Sequence, residues 1–223
     1  MGLLCNYQLK GEQEVPEGLS KTLWEENMDI AMSCLNHPFV RGIASGNLPK
    51  DRFNWYVGQD YFYLQAFAKA FCLAVVKAPD VEGMKAFHEL AGGALGEMSL
   101  HIGFEEKLGA NVKAVIPSRA TRMYTDFLLA TAWERDAGLI AAATTPCNRL
   151  YAWLGQNLMK GANKDNPYID WILTYSSESF EELAQKTEML IDRYAKDDDI
   201  TRSIYRYAMI CEYEFFDAAW KHD

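Results

Sequence analysis

An all-α single domain is predicted by three features of this 223-residue sequence. Apolar residues recur at helical spacing through most of its length, strand-like alternation is nearly absent, and Gly and Pro gather at a few short connections. An apolar fraction of 49% and a charged fraction of 24% match an ordinary globular chain, long enough to bury a core without disulfides or metals.

Residues 1–16 read as a loose tail, and 17–223 as one helical domain of about eight helices. Leu19, Leu23, Trp24, Met28, Ala31, Met32 and Leu35 form one apolar stripe from Gly18 to Asn36. Asn36-His37-Pro38 breaks it, and a short helical turn follows over Phe39 to Ala44. Gly46-Asn47-Leu48-Pro49 is a connection, with Pro49 suited to a helix start. Lys50 to Lys77 has no breaker except Gly58 and reads as one long buried helix. Pro79-Asp80 opens a helix that ends near Gly109; Val112 to Ile116 gives the only hint of a strand. Helices are then expected from Arg119 to about Arg135, and from Ala137 to Lys160 with an interruption at Pro146. Three more follow, over Tyr168–Tyr175, Ser179–Tyr194 and Asp199 to about Lys221, with short loops placing neighbours antiparallel.

Bulk properties exclude several functions. A net charge of −9 without any basic run argues against nucleic acid as a partner. No apolar run reaches the ~18 residues of a membrane span, and Met1 to Cys5 is too short for a secretory core. That start resembles a myristoylation signal, but Asn6 stands where Ser or Thr is needed. Cys5, Cys34, Cys72, Cys147 and Cys211 are widely spaced, which suggests neither a disulfide framework nor a zinc site and fits a reducing compartment.

Three constellations carry chemistry. Tyr56, Asp60, Tyr63 and Phe67 are spaced by four, three and four, so they share one helical face. A carboxylate between aromatic rings either recognises the amine or amidine edge of a heterocycle or is tied to a neighbouring helix. In Pro146-Cys147-Asn148-Arg149-Leu150-Tyr151, a kinking proline precedes a thiol that shares a face with Tyr151. Such a thiol is either an inert core residue or a nucleophile, the latter requiring a base, dipole or cation to yield thiolate. On the aromatic C-terminal helix, Glu212 and Glu214 are both candidates for an acid whose pKa is raised by apolar surroundings. Glu97 and His101 have the i,i+4 spacing of metal ligands, but the further ligands of a di-iron site are missing, so a capped structural pair is the better account. Phosphate-loop, serine-elbow and zinc-protease motifs are absent.

Taken in register, these stretches resemble the TenA (thiaminase II) family. The resemblance runs from about Leu19 to Trp220. It is carried by His37-Pro38-Phe39-Val40, Phe53-x-x-Tyr56-x-x-Gln59-Asp60-x-x-Tyr63-Leu64, Glu97-x-x-x-His101, Pro146-Cys147-x-x-x-Tyr151 and Glu212-Tyr213-x-Phe215. It implies a haem-oxygenase-like bundle that binds no haem and needs no cofactor or metal, assembled as a homotetramer in the cytoplasm. The implied activity is thiamin salvage, converting 4-amino-5-aminomethyl-2-methylpyrimidine to its hydroxymethyl counterpart, with thiamin a slower substrate. By the same resemblance Cys147 is the nucleophile and Glu212 the acid/base. Asp60 binds the pyrimidine's amino and ring-nitrogen edge, Tyr124 and Tyr175 are polar pocket residues, and Tyr63, Tyr151 and Phe215 line the ring. Cys147 places the chain in the family's cysteine-containing branch. The chain departs from the family pattern at Arg149, often an aromatic, and at Phe216, often Trp; Arg149 has a surface or subunit-interface role as its alternative. The competing functional readings are a C–N hydrolase with a shifted substrate and a non-haem metal oxygenase on the same fold.

Overall fold

A computed structural model describes residues 18–108 and 115–223, with side chains described for 18–98 and 115–223. The tail and most of the strand-like stretch lie outside these residues, and the His101 side chain lies outside the described side chains; Val115 and Ile116, at the end of the stretch, are in neither helix nor strand. Ten helices occur among the described residues: α1 (Leu19–Glu26), α2 (Met28–Asn36), α3 (Pro38–Ser45), α4 (Lys50–Lys77), α5 (Val81–Leu108), α6 (Arg119–Glu134), α7 (Ala137–Met159), α8 (Ile169–Tyr175), α9 (Glu178–Tyr194) and α10 (Asp199–Lys221).

Two of the ten arise because the first apolar stripe is divided at Asn27. There the backbone leaves helical geometry, at φ −111° and ψ 13°. The Asn27 side chain donates to the Leu23 carbonyl at 2.7 Å, while its own carbonyl accepts from Ile30 and Ala31. Asparagine competes for backbone partners in this way and ends one helix while starting the next. Elsewhere the starts follow local chemistry. Ser118, Asp136, Ser177 and Asp198 each accept a backbone N–H of the first turn. Gly46 closes α3 at φ 74°, a conformation costly for any residue with a Cβ.

The expected interruption at Pro146 does not occur, and α7 runs through it. Proline removes the N–H that would reach the Ala142 carbonyl. One turn earlier, the Thr144 and Thr145 hydroxyls bond back to the Ile140 and Ala141 carbonyls. Pro146 itself is buried, and α4, α6, α8, α9 and α10 all pack on α7. Surrounding contacts hold the axis that proline alone would break.

Helices α4, α6, α7 and α10 pack against one another as a bundle, with α5 on α4 and α9 on α7. The short α8 lies directly on α7. An ideal Cβ at Gly155 would sit 2.4 Å from the Tyr175 carbonyl carbon, so glycine is what lets the end of α8 approach.

Arg149 faces away from the core of this bundle and fastens α7 to α9. Its Nε and Nη2 donate to Glu188, and its Nη1 and Nη2 to Glu181, all within 2.7–3.0 Å. Burial works against the guanidinium's charge, but the two carboxylates outweigh it and raise its pKa. In return the Arg149 hydrogen bonds hold Glu181 below the usual carboxylate range.

Arg149→Ala would leave two half-buried carboxylates without their cation. The expected loss of stability near neutral pH is about 2–3 kcal/mol, below the roughly 3–5 kcal/mol of a fully buried pair. Because the folded pKa of Glu181 is depressed, its contribution is present above the unfolded carboxylate pKa. It is lost as pH falls through the folded value. Thermal melts of wild type and mutant, separated at neutral pH, are therefore expected to converge in acid.

Candidate active site

The four packed helices each send side chains into one small cavity. Asp60 and Tyr63 come from consecutive turns of α4, Tyr124 from α6, Cys147 and Tyr151 from consecutive turns of α7, and Glu212 and Phe215 from consecutive turns of α10. The side chains close on one another and leave about 10 Å³ of free space, roughly room for one water molecule. Larger clefts exist on the surface. One runs past Arg119, Glu214, Asp217 and Lys221, where the charges are solvated.

Seven of the eight residues singled out from the sequence meet in this cavity. The eighth, Tyr175, stands one ring behind the wall, 4.8 Å from the Tyr151 ring centroid, and its hydroxyl donates to Glu97 Oε1 at 2.7 Å. The choice between the two C-terminal acids is resolved. Glu212 is buried and lines the cavity, whereas Glu214 is exposed on the surface cleft. Arg149 reaches neither the cavity nor the outer surface, being occupied with α9. Cys34 and Cys211 are inert core thiols by burial. Tyr56, a member of the first constellation, and Trp171, to which the sequence did not point, both touch the cavity's aromatic wall from behind.

The electrostatics are dominated by carboxylates in a dry place. Burial pushes the Glu212 carboxyl up to about 8, with the Asp60 charge adding to the shift. The Tyr124 hydroxyl, which donates to Glu212 Oε1 at 2.8 Å, and the neighbouring Cys147 thiol pull it back. The acid is therefore mostly protonated at neutral pH and within easy reach of ionisation. Burial, then the Glu212 and Glu97 carboxylates, drive the Cys147 thiol well above its ordinary range. The Tyr63 hydroxyl beside the sulfur eases that shift, yet finds no described partner in full hydrogen-bond geometry. The Tyr63 ring lies tilted against the Tyr124 ring, with centroids 4.7 Å apart.

This arrangement combines an acid poised near neutrality, a thiol beside it and a separate buried carboxylate within aromatic walls. It can bind a flat polar ring, add sulfur to it and move one proton between sulfur, carboxyl and ligand. Among the described residues no group of three or more His, Cys, Asp or Glu is set to hold a metal ion. No described helix is long and apolar enough to cross a membrane.

Comparison with known proteins agrees with the architecture. A family model described as the TENA/THI-4/PQQC family matches residues 24–222. The aminopyrimidine aminohydrolase of Halalkalibacterium halodurans is 32% identical over 210 residues, covering 89% of this chain and 94% of that protein. The mitochondrial bifunctional TH2 protein of Arabidopsis thaliana is 33% identical over 91% of this chain, which spans only 37% of that longer relative. Among solved structures, a TenA homologue from P. horikoshii superposes with a TM-score of 0.85 at 26% identity, covering 93% of this chain and all of that one. A domain with a haem-oxygenase-like fold from Shewanella denitrificans gives 0.74 at 15% identity, covering 91% and 92% of the two chains. The second likeness speaks for the fold alone, and the fold is the haem-oxygenase-like bundle expected from the sequence.

The two hydrogen-bonding and charge neighbours of Glu212 act on it in opposite senses. Tyr124→Phe removes a bond to the ionised form and is expected to raise the carboxyl's pKa above about 8. Asp60→Asn removes a repelling charge and is expected to lower it. Isotope-edited NMR of labelled glutamate through a pH titration reads both shifts, and movement of the two variants in the same direction contradicts the account.

Proposed function

The chain belongs to the TENA/THI-4/PQQC family, and from that membership and the cavity we propose that it is a thiamin-salvage hydrolase acting on an aminopyrimidine. The reaction replaces the amine of 4-amino-5-aminomethyl-2-methylpyrimidine by hydroxyl, releasing ammonia; thiamin, with thiazole as its leaving group, is the secondary substrate. The observation that carries the reading is the meeting of Cys147, Glu212 and Asp60 around one buried cavity. The name of the H. halodurans relative, with nearly its whole length matched, adds support.

In this reading Asp60 holds the amino group and ring-nitrogen edge of the pyrimidine. Tyr63, Tyr151 and Phe215 enclose the ring, with Tyr124 and Tyr175 as polar support. The resting thiol is protonated, so the base must be local. Glu212, once ionised, takes the Cys147 proton as sulfur adds to the ring, and the ring's electron pair moves onto nitrogen. Glu212 then passes that proton to the departing amine, which leaves as the C–N bond breaks. Water adds to the exocyclic carbon, the C–S bond breaks, and sulfur recovers a proton. The sum is amine plus water giving alcohol plus ammonia. A carboxyl with a pKa of about 8 is matched to both halves of the proton's journey. The thiazolium cation of thiamin also offsets the negative field that keeps the thiol protonated. A homotetramer in the cytoplasm completes the reading; exposed apolar side chains such as Val76 and Trp133 are consistent with faces covered in an assembly.

Ammonia release from 4-amino-5-aminomethyl-2-methylpyrimidine tests the proposal. Wild type is expected to turn the substrate over, Cys147→Ser to lose nearly all activity, and Glu212→Gln to lose about 10²–10⁴-fold. Full activity in Cys147→Ser removes the nucleophile assignment, and an inactive wild type removes the substrate.

A further inference from the structure

Gln59 stands beside Asp60 on α4, almost wholly buried, and the proposed chemistry gives it no task. One step along a helix turns a side chain by about 100°. Asp60 therefore lines the cavity while Gln59 reaches the segment that enters α6. Its amide nitrogen donates to the Ile116 carbonyl at 3.1 Å. Its oxygen accepts twice, from the Ser118 backbone N–H at 2.9 Å and from the Thr121 hydroxyl at 2.5 Å.

The direction of each bond follows from its partners. A backbone carbonyl only accepts and a backbone N–H only donates, so one orientation of the amide satisfies both. Thr121 then spends its single hydrogen on the Gln59 oxygen, which carries none. The Ser118 hydroxyl, 3.1 Å from Thr121 Oγ1, is left to donate to it. The Ser118 oxygen in turn accepts the Thr121 backbone N–H at 3.1 Å. The N-cap of α6 and the Gln59 amide thus form one connected network, with Thr121 wholly buried at its centre.

Tyr124 lies three residues beyond Thr121 and shares its face of α6. The stretch fastened to Gln59 therefore leads, within one turn, to the hydroxyl that donates to Glu212 Oε1 at 2.8 Å. We infer that Gln59 is a positioning residue, whose amide locks the first turn of α6 to α4 and thereby holds the Tyr124 hydroxyl on Glu212. Gln59 itself lines no part of the cavity. Glu212 is faced by Asp60 and Tyr63 from α4, Tyr124 from α6, Cys147 and Tyr151 from α7 and Cys34 from α2. His37, at the start of α3, is turned to Asp217 instead. Among these neighbours Tyr124 and Cys147 favour the ionised acid, and Tyr124 acts the more strongly. The clamp on α6 thus reaches the acid's titration through Tyr124.

The inference rests on the hydrolase reading only for the use made of the proton, so titration and turnover are read separately. Isotope-edited NMR follows the Glu212 carboxyl in Gln59→Met, Thr121→Val, Tyr124→Phe and the Gln59→Met, Tyr124→Phe double variant. The first keeps the length of the side chain and deletes all three amide bonds; the second deletes only the hydroxyl. Gln59→Met is expected to raise the carboxyl's midpoint by about half a pH unit or more, in the direction of Tyr124→Phe. Thr121→Val raises it less, and Gln59→Met adds nothing to Tyr124→Phe. A merely loosened fold would admit water to the cavity and lower the midpoint toward the ordinary carboxylate range, the opposite sign. An unmoved or lowered midpoint in folded Gln59→Met, or a shift that adds to that of Tyr124→Phe, overturns the inference. Should Gln59→Met fail to fold, Thr121→Val decides by the same criteria. In ammonia release, the rise of kcat/KM with pH is expected to move to higher pH in step, because Glu212 must ionise to take the Cys147 proton. Ammonia release with an unmoved midpoint removes the positioning role alone; a moved midpoint without ammonia release removes the hydrolase reading alone.

Discussion

A carboxyl group kept dry at the centre of four helices is the constraint on which the rest of this molecule turns. Glu212 is tolerable there because it is largely neutral, and it is neutral because water is excluded and Asp60 stands nearby. Everything around it serves that condition. Tyr124 supplies one hydrogen bond, enough to steady the group without fully ionising it. The aromatic wall fills the volume that water would otherwise occupy. A more generous set of donors would yield a stable carboxylate with a low pKa and no capacity to lend a proton at neutral pH.

Helix α7 shows how rigidity is supplied to such a site. One side of it presents Cys147 and Tyr151 to the cavity, and another presents Arg149 to a pair of glutamates on α9. The arginine lies two residues from the thiol, which on a helix turns it well away from the cavity. An arginine so near a cysteine invites assignment as the cation that lowers the thiol's pKa. Geometry assigns it to fastening instead, and the sulfur is left among carboxyl groups with no cation beside it among the described side chains. Functional and structural roles are therefore separated by angle on a single helix.

Much of this was legible in the sequence, and the limits have physical causes. The long helix α4 declares itself because Pro49 and Pro79 stand at its ends and apolar residues are sustained between. Pairs within one helix, such as Asp60 with Tyr63 or Cys147 with Tyr151, follow from the 3.6-residue repeat. Which pairs face one another across helices does not follow from that repeat, and came only from resemblance to a known family. The division at Asn27 was hidden because one polar residue barely disturbs an amphipathic stripe. The continuity of α7 through Pro146 was hidden because packing, and not local preference, decides it. Trp171 gave no signal at all: its partner Tyr56 is 115 positions away and only the close seating of α8 against Gly155 brings them together.

The protonated state of Cys147 has a consequence for the protein's survival between turnovers. Oxidants and alkylating electrophiles attack thiolates far faster than thiols. Held as a thiol by its own surroundings, the nucleophile of the proposed reaction is chemically quiet while idle. The same surroundings that hold the proton on sulfur in the proposed mechanism thereby double as armour, sparing it from oxidation between turnovers.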